Sequence, residues 1–241
     1  MSVPESSEES LRRLWDAVVA SIGDGSGGTE ALALIGRACT RLLPIDGASI
    51  SLVGGARARE ALYAGDEVSD RIQRLQVSLG EGPSYEAYRT RRPVLVPDLA
   101  ADPGARWPVF ATEVAACPVG AVFAFPLQRG AIAIGALDLY RRDPGWLSSE
   151  EVTVALRVVD IATLALPALR MDSLDGEWVV GLPPERAQVH QATGMLISGL
   201  GVSAEQALAR LRAHAFSVGR MVDEIADDLV SGRIVPTDIE L

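Results

Sequence analysis

The chain has 241 residues, of which 48% are hydrophobic, so it can bury a sizeable core in one domain or two. Its formal net charge of −10 disfavours a surface built for non-specific nucleic-acid binding, because phosphate charge must be neutralised by basic residues. The first ten residues are acidic and serine-rich, and no apolar run reaches the roughly 18 residues of a membrane span. The sequence therefore predicts a soluble cytoplasmic protein.

Helical and strand-like segments alternate before residue 180, which predicts a mixed fold. The strand at 93–97 begins and ends with proline, which suits the edge of a sheet better than its centre. Residues 128–130 join two strands as a hairpin, and Ser148 or Ser149 caps the helix that follows. The segment 71–77 is ambiguous. The predicted elements are helices at 11–22 and 30–42, strands at 48–53, 93–97, 121–127 and 131–140, and a helix at 150–169.

The pattern after residue 182 is helical to about residue 232, which predicts a separate bundle of three helices. Pro183 and Pro184 suit the first turn of the first helix, which should end near residue 198. Ser203 and Gln206 form a capping box for the second helix, and the third should span about 220–230. The expected buried positions of the last two helices are Ala204, Ala207, Leu208, Leu211, Ala215, Val218, Met221 or Val222, Ile225, Ala226 and Leu229.

The first helix of this bundle has an uncharged surface next to its buried side. Two amides, a thioether and a bare glycine backbone on this surface can hydrogen-bond to unpaired RNA bases and pack against them. An alternative is that the methionine packs in a dimer interface and the glutamines are ordinary polar surface. A helical projection places Gln188, Gln191, Met195 and Ser198 on this surface with Gly194 at its edge, and Val189, Ala192, Leu196 and Leu200 on the buried side.

Three groups of residues before residue 170 carry a family resemblance. They are Leu75-Gln76 with Gly80-Glu81-Gly82-Pro83, Asp98-Leu99 with Arg106-Trp107-Pro108 and Phe110, and Ala124-Phe125-Pro126-Leu127 with Gly135-Ala136-Leu137-Asp138-Leu139-Tyr140. In this order they resemble the GAF domain, in the subgroup found before ANTAR modules in actinobacteria. The resemblance implies a six-stranded antiparallel sheet flanked by helices, with a pocket between the sheet and its loops.

Five residues are candidates for the wall of a small-molecule pocket because they combine aromatic rings with one cation: Tyr85, Tyr88, Arg106, Trp107 and Phe110. Core and loop packing is the alternative for the same residues. The surroundings of Cys117 match no chromophore or haem motif, and we predict no cofactor. Gly80-Glu81-Gly82-Pro83 lacks the further residues of a phosphate loop, so we interpret it as a turn.

The C-terminal helices resemble the ANTAR domain, an RNA-binding three-helix module of bacterial transcription antiterminators. The resemblance rests on Gln191-Ala192-Thr193-Gly194-Met195-Leu196, followed by Ala207-Leu208, Leu211-Arg212 and Ile225-Ala226. It implies a homodimer that holds two small RNA hairpin loops. Together with the uncharged helix surface, it gives these candidates for RNA contact: Gln188, Gln191, Thr193, Gly194, Met195, Arg212 and Arg220. The sequence departs from the family pattern at Gly219 and at Ser198-Gly199-Leu200, which leaves the preferred RNA open.

The residues of the sequence do not assemble a recognisable catalytic or metal site. The two histidines, His190 and His214, fall in the C-terminal helices without a serine or cysteine motif beside them. The two cysteines, Cys39 and Cys117, match no metal or redox spacing and fit a reducing compartment. The acids of the third helix, which recur at helical spacing, indicate a solvated face: Asp223, Glu224, Asp227 and Asp228. We predict that the protein is not an enzyme.

The predicted fold class is α+β, with a GAF domain followed by an all-α three-helix ANTAR bundle. The expected divisions are an N-terminal helix and flexible segment at 1–28, a GAF sensory domain at 29–170, a linker at 171–182, an ANTAR RNA-binding domain at 183–235 and a tail at 236–241. The helix at 150–169 is apolar on more than one side, which predicts a homodimer through it and the helix at 11–22.

The leading hypothesis is a signal-responsive regulator that promotes transcription antitermination by binding paired RNA hairpin loops through its ANTAR domain. The GAF domain would control this binding through an unidentified small molecule, and no membrane partner is expected. The alternative is a small-ligand sensor whose C-terminal bundle serves dimerisation or protein docking.

Overall fold

The computed structural model describes residues 6–23, 28–53, 59–101, 106–130, 132–166 and 188–239. The helices are α1 (Ser7–Gly23), α2 (Gly28–Leu42), α3 (Glu67–Leu79), α4 (Pro83–Thr90), α5 (Pro108–Val114), α6 (Ser149–Ala165), α7 (Gln188–Leu200), α8 (Ala204–Ser217) and α9 (Val222–Val230). The strands are β1 (Gly47–Val53), β2 (Arg59–Ala64), β3 (Val94–Val96), β4 (Ala121–Arg129) and β5 (Ile132–Arg141). The predicted α+β fold class is confirmed.

The strands form an antiparallel sheet in the order β2-β1-β5-β4-β3. The short strand between two prolines, β3, lies at an edge, as predicted, because proline cannot donate a hydrogen bond to a further strand. Strands β4 and β5 form the predicted hairpin. The sheet has five strands in the described part of the chain, so the expectation of six is not met there.

Helices cover both faces of this sheet. On β4, Phe123 and Phe125 belong to the core shared with α1, α2 and α6, whereas Val122 and Ala124 belong to the core shared with α3, α4 and α5. Successive side chains of a strand point to opposite faces, so a strand buried on both faces is apolar throughout rather than alternating. We call α1 to α6 with the sheet the N-terminal domain, and residues 188–239 the C-terminal module.

Helix α6 begins at a capping box, in which Ser148 and Glu151 each bond the backbone N–H of the other. Much of its apolar surface is buried within the chain, because α1, α2 and β4 pack against it. Leu156 and Leu164 remain 42% and 54% exposed, and Trp15 and Val19 of α1 remain 39% and 47% exposed. Among the described residues of α1 and α6, these four are the large apolar side chains left exposed for the predicted dimer contact.

The ambiguous segment 71–77 lies within α3, and the Gly-Glu-Gly-Pro segment after it is the predicted turn. Gly80 ends α3 with φ of 67°, a left-handed conformation that favours glycine. The Glu81 carboxylate accepts hydrogen bonds of 2.9 and 2.8 Å from the backbone N–H groups of Val109 and Phe110, and so caps α5. This turn therefore joins the end of α3 to the starts of α4 and α5.

The C-terminal module is a three-helix bundle with its own core. The predicted capping box of Ser203 and Gln206 begins α8. Helix α9 begins at residue 222 rather than 220, and α7 continues through Gly199 to Leu200. The core of the bundle contains Ala192, Leu196, Ala207, Leu211, Ala215, Val222, Ile225, Ala226 and Leu229. Val218, which we expected in this core, is instead 49% exposed. Pro183, Pro184 and the expected linker at 171–182 lie outside the described residues.

Candidate nucleic-acid interface

Helix α7 presents an uncharged strip along its outer side. Gln191, Gly194 and Ser198 are exposed, while Met195 is half-buried against the core of the bundle. These positions are three or four residues apart, so they share one face of the helix. Ile197, beside this strip, is 37% exposed and adds apolar surface. The strip thus offers an amide, a hydroxyl and apolar surface without a charged side chain.

Two of the predicted RNA contacts on α7 have partners inside the module. Thr193 is only 4% exposed, and its hydroxyl donates a 2.6 Å hydrogen bond to the backbone carbonyl of Val189. In this arrangement Thr193 packs within the bundle and does not present its side chain to RNA. The side-chain amide of Gln188 donates a 2.7 Å bond to the carboxylate of Asp227 on α9. Gln188 therefore needs to exchange this partner before it can contact RNA.

Among the described residues, none packs so closely on position 194 that a glycine is required there. A Cβ atom added there would meet no other atom within 4 Å, whereas one added at Gly199 would lie 2.8 Å from the Pro236 side chain. A glycine inside a helix costs about 0.5–1 kcal/mol relative to alanine, because its unfolded backbone is freer. Position 194 therefore leaves the α7 backbone open to an outside group, at some cost in helix stability.

Arg212 of α8 does not point into solvent, although we predicted it as a phosphate or base contact. Its Nε donates a 3.0 Å hydrogen bond to the backbone carbonyl of Val77, and its Nη2 donates a 2.7 Å bond to the Tyr85 hydroxyl. Its guanidinium carbon lies 5.7 Å from the centre of the Tyr85 ring. The charge that we assigned to RNA is therefore held by the N-terminal domain in this structure.

The four acids of α9 are all engaged with arginines rather than simply solvated. Arg220 Nη1 lies 2.6 Å from the Asp228 carboxylate, and Arg220 Nε lies 3.5 Å from that of Glu224. The hydrogen bonds from Arg220 and Arg233 lower the pKa of Asp228. The Arg220 side chain is 43% exposed, and solvent screening weakens such ion pairs, so exchanging Asp228 for a phosphate group costs Arg220 little. Arg220 therefore remains available as a predicted RNA contact. The other pairs are Asp223 with Arg74 and Asp227 with Arg233.

Helix α3 contacts the C-terminal module through residues that the sequence did not single out. Arg74, Val77 and Ser78 are spaced i, i+3 and i+4, which places them on one side of α3. We call these three residues, together with Tyr85 of α4, the docking face. Sequence patterns could not reveal it, because amphipathic spacing shows that a helix has a second face but not what covers it.

The five residues predicted to line a small-molecule pocket differ in their surroundings. Phe110 is fully buried and Trp107 nearly so, with their rings edge to face at 6.4 Å. Arg106 stacks over Trp107 at 4.4 Å and pairs with Glu86. Tyr85 contacts Arg212, and Tyr88 is half-buried on α4. For Trp107 and Phe110 the packing alternative describes the structure.

Described residues line two clefts between the domains and one narrow gap under the sheet, and the five predicted pocket residues are not among those that line them. Two clefts of about 250 and 210 Å³ lie between the domains, one beside Arg71, Glu113 and Arg220 and the other beside Glu81, Val109 and Arg212. The third lies between the sheet and α3 and leaves no room for a small molecule. Near it, a buried network joins Gln76 to Asp138 and to the N–H group of Ser84, whose hydroxyl donates to Asp138.

Within the described residues, no group of three or more histidine, cysteine, aspartate or glutamate side chains could hold a metal ion. No helix there is long and apolar enough to cross a membrane.

The sequence matches two domain families. Residues 29–166 match the GAF domain, and residues 184–230 match the ANTAR domain. Because the first match covers more than half of the sequence, the chain belongs to the GAF domain family. With the second match, it has a GAF–ANTAR architecture, in which both domains are of regulatory type. No curated protein matches the sequence.

Solved structures with the same fold include GAF domains of two phosphoenolpyruvate-protein phosphotransferases. The one from Coxiella burnetii is 14% identical, covers 67% of this chain and 94% of its own, and has a TM-score of 0.51. The one from Acinetobacter is 12% identical, covers 65% and 90%, and has a TM-score of 0.50. A free methionine-R-sulfoxide reductase from Neisseria meningitidis, solved with its substrate, is 16% identical, covers 70% and 94%, and has a TM-score of 0.47. At these identities the first two likenesses show the fold alone.

Proposed function

We propose that this protein is a signal-responsive RNA-binding regulator of actinobacterial type. Its ANTAR domain binds paired RNA hairpin loops and so promotes transcription antitermination, and its GAF domain controls that binding. RNA leaders are made in the cytoplasm, which is where the proposal places the protein. The chemistry is non-covalent recognition, and the GAF ligand is a small molecule of unidentified class.

The observation that carries this proposal is the exposed, uncharged strip of α7 around Gly194. A solvated helix face normally carries charges, whereas this strip carries an amide, a hydroxyl and an open glycine backbone. Unpaired loop bases are recognised by stacking and by hydrogen bonds to their edges, and both need close, uncharged surface. The ANTAR match over residues 184–230 includes this strip and supports the same reading.

The proposal requires charge neutralisation to be local, because the net charge is −10. All 22 basic residues are arginine, whose planar guanidinium group binds phosphate and stacks on bases. Arg212 and Arg220 are our phosphate or base contacts, beside the α7 contacts Gln188, Gln191, Gly194 and Met195. A homodimer would present two such surfaces, one for each hairpin loop.

A second candidate function is a small-ligand sensor whose C-terminal module docks a protein. It is favoured by two exposed apolar side chains at the end of α8, because Phe216 is 62% exposed and Val218 is 49% exposed. Exposed aromatic residues are common anchors of protein interfaces. This candidate requires no RNA, so the same experiment separates the two.

The test is to crosslink the full chain to RNA in cells, recover the protein and sequence the attached RNA. We expect enrichment of transcript leaders that contain two adjacent hairpins. The matched control is Gly194→Leu, because no described residue lies within 4 Å of a Cβ atom built at that position. Equal recovery of the same RNA by both proteins, or no RNA above background with the parent, would leave protein docking as the better proposal.

A further inference from the structure

The two domains contact each other through the docking face, and each domain places an apolar side chain against the core of the other. Val77 of α3 packs against the core of the C-terminal module, and Met221 of that module is buried in the core formed by α3, α4 and α5. Arg74 Nε lies 2.9 Å from the carboxylate of Asp223. The contact therefore combines exchanged apolar side chains with an ion pair of opposite charges.

The docking face also completes the first turn of α9. The first N–H groups of a helix have no partner within the helix, and the residue before α9 is Met221, which has no side-chain oxygen. The backbone N–H of Val222 instead donates a 3.0 Å hydrogen bond to the hydroxyl of Ser78. The N-terminal domain thus supplies the side-chain acceptor for the first N–H group of α9, while Glu224 accepts from the N–H group of Met221.

The position that receives Arg212 is suited to a cation. The carbonyl groups of the last turn of a helix have no helical partner and carry the negative end of the helix dipole. Val77 is in the last turn of α3, and its carbonyl accepts from Arg212 Nε. A Cβ atom at Gly80 would lie 2.9 Å from Arg212 Nη1, so the glycine leaves room for the guanidinium group.

We propose that this contact is autoinhibitory: the docking face of the GAF domain binds Arg212 in place of RNA, and RNA binds tightly only when α8 and α9 leave α3. The inference rests on the proposed function, because it assigns regulation to the same RNA-binding surface. The bonds to Val77 and Tyr85 take two of the five N–H donors of Arg212 and hold its guanidinium group against the N-terminal domain, which opposes its approach to a phosphate group or a base. The α7 strip stays exposed in the closed arrangement, so the closed chain retains only part of its RNA-binding surface.

The first test opens the contact from the GAF side, without changing any residue of the RNA surface. Arg74→Glu places a like charge beside Asp223 and Glu224, and we expect the full chain to bind a labelled pool of two-hairpin RNAs with randomised loops roughly tenfold more tightly. The control is Arg89→Glu, which changes the net charge equally at an exposed position of α4. Added negative charge alone weakens RNA binding, so tighter binding cannot be a general charge effect.

Reversing the ion pair supplies the rescue. The double variant Arg74→Glu with Asp223→Arg has the parent's net charge and restores opposite charges across the contact. We expect its RNA affinity to return to within about twofold of the parent value, although the Asp223→Arg variant alone should bind RNA more tightly than the parent. A double variant that binds as tightly as either single variant would overturn the proposal.

Removing one hydroxyl group gives a milder opening. Tyr85→Phe deletes the acceptor of the 2.7 Å bond from Arg212 but keeps the ring, and we expect RNA binding to tighten by roughly threefold to tenfold. Tyr63→Phe is the matched control, because Tyr63 packs on the opposite face of the sheet, beside α2. Unchanged affinity in both Tyr85→Phe and Arg74→Glu would overturn the proposal.

Hydrogen exchange of the Val222 amide reports the opening directly, because its partner is Ser78. We expect faster exchange at this amide in Arg74→Glu and in the parent bound to RNA. If the parent and both opened variants bind no RNA, the proposed function fails. If they bind RNA with equal affinity and equal Val222 exchange, the proposed function stands and the autoinhibitory contact is wrong.

Discussion

Arg212 and Tyr85 lie 127 positions apart in the sequence, and the guanidinium group of the first donates a 2.7 Å hydrogen bond to the hydroxyl of the second. Arg212, which the sequence predicted as an RNA contact, is thus hydrogen-bonded to Tyr85, which we had predicted to line a small-molecule pocket. This link gives Arg212 two competing roles, and the effect of removing it depends on the state of the contact between the domains.

Arg212→Ala should therefore have different effects in two backgrounds. In the opened Arg74→Glu chain it removes only an RNA contact, and we expect RNA binding to weaken by about 1–3 kcal/mol. In the parent chain it also releases the docking face, which offsets part of that loss. Fluorescence anisotropy with the two-hairpin RNA pool measures both Kd values. Equal losses of RNA affinity in the two backgrounds would show that the docking face and RNA do not compete for Arg212.

Gly194→Leu should abolish RNA binding and leave the melting temperature unchanged or raised. A Cβ atom there meets no described residue within 4 Å and leucine replaces a poor helix former, but the added side chain blocks close approach of a base to the α7 backbone. Gly194→Ala should give a smaller loss, in proportion to its bulk. Thr40→Leu, which adds a leucine at an exposed position of α2, is the control. Binding like that of the parent in both Gly194 variants would remove this strip from the RNA surface.

The protein should be a homodimer through α6 and α1 at tens of micromolar. The large apolar side chains exposed on the described part of these helices are Trp15, Val19, Leu156 and Leu164. Leu164→Glu should shift the mass measured by light scattering from dimer towards monomer, because a carboxylate cannot be buried there without a partner. Ile132→Glu, at a 61% exposed residue of β5, should have no such effect. A monomer mass for the parent would contradict this prediction.

Limited proteolysis should first cleave the chain between residues 171 and 182. This segment contains two glycines and three acids around Trp178, and its composition predicts a linker. The docking face adds a second expectation, namely that the two fragments stay together on gel filtration after cleavage. In the Arg74→Glu protein the cleaved fragments should separate more readily. First cleavage within residues 188–230 would place the boundary elsewhere.

Cys39 and Cys117 should differ in reactivity towards thiol reagents. Desolvation by burial raises the pKa of the Cys39 thiol to about 12, so the native protein holds almost no Cys39 thiolate at pH 8. Cys117 is only partly buried, although burial raises its pKa too. Mass spectrometry should find Cys117 labelled in the native protein and Cys39 labelled only after unfolding. Early labelling of Cys39 would contradict the burial of α2.

The same burial predicts a loss of stability at alkaline pH. The pKa of Cys39 is higher in the folded chain than its ordinary value of 9.0, so the folded state keeps a proton that the unfolded state releases. This contribution to the free energy of unfolding is fully present below about pH 9 and is lost as the pH rises towards 12. In Cys39→Ala the free energy of unfolding should depend less on pH between about 9 and 12. The loss of stability caused by the smaller side chain itself is measured separately at pH 7.

Local sequence determined most of the helices, the capping boxes and the edge strand, but it did not predict α4, α5 or β2 and left the α3 segment ambiguous. The capping boxes at Ser148 and Ser203 and the proline-bounded β3 follow from interactions within a few residues, so patterns in the sequence identify them. Tertiary structure alone decided the partners of α3. Arg74, Ser78 and Val77 meet residues 149, 144 and 135 positions away, and no short-range pattern encodes such pairs. For the same reason the sequence could not show that Arg212, which its helical spacing places on the surface, bonds to the other domain. Thr193 lies at the border between the buried and exposed sides of α7, so helical spacing alone could not tell whether it packs in the bundle or contacts RNA.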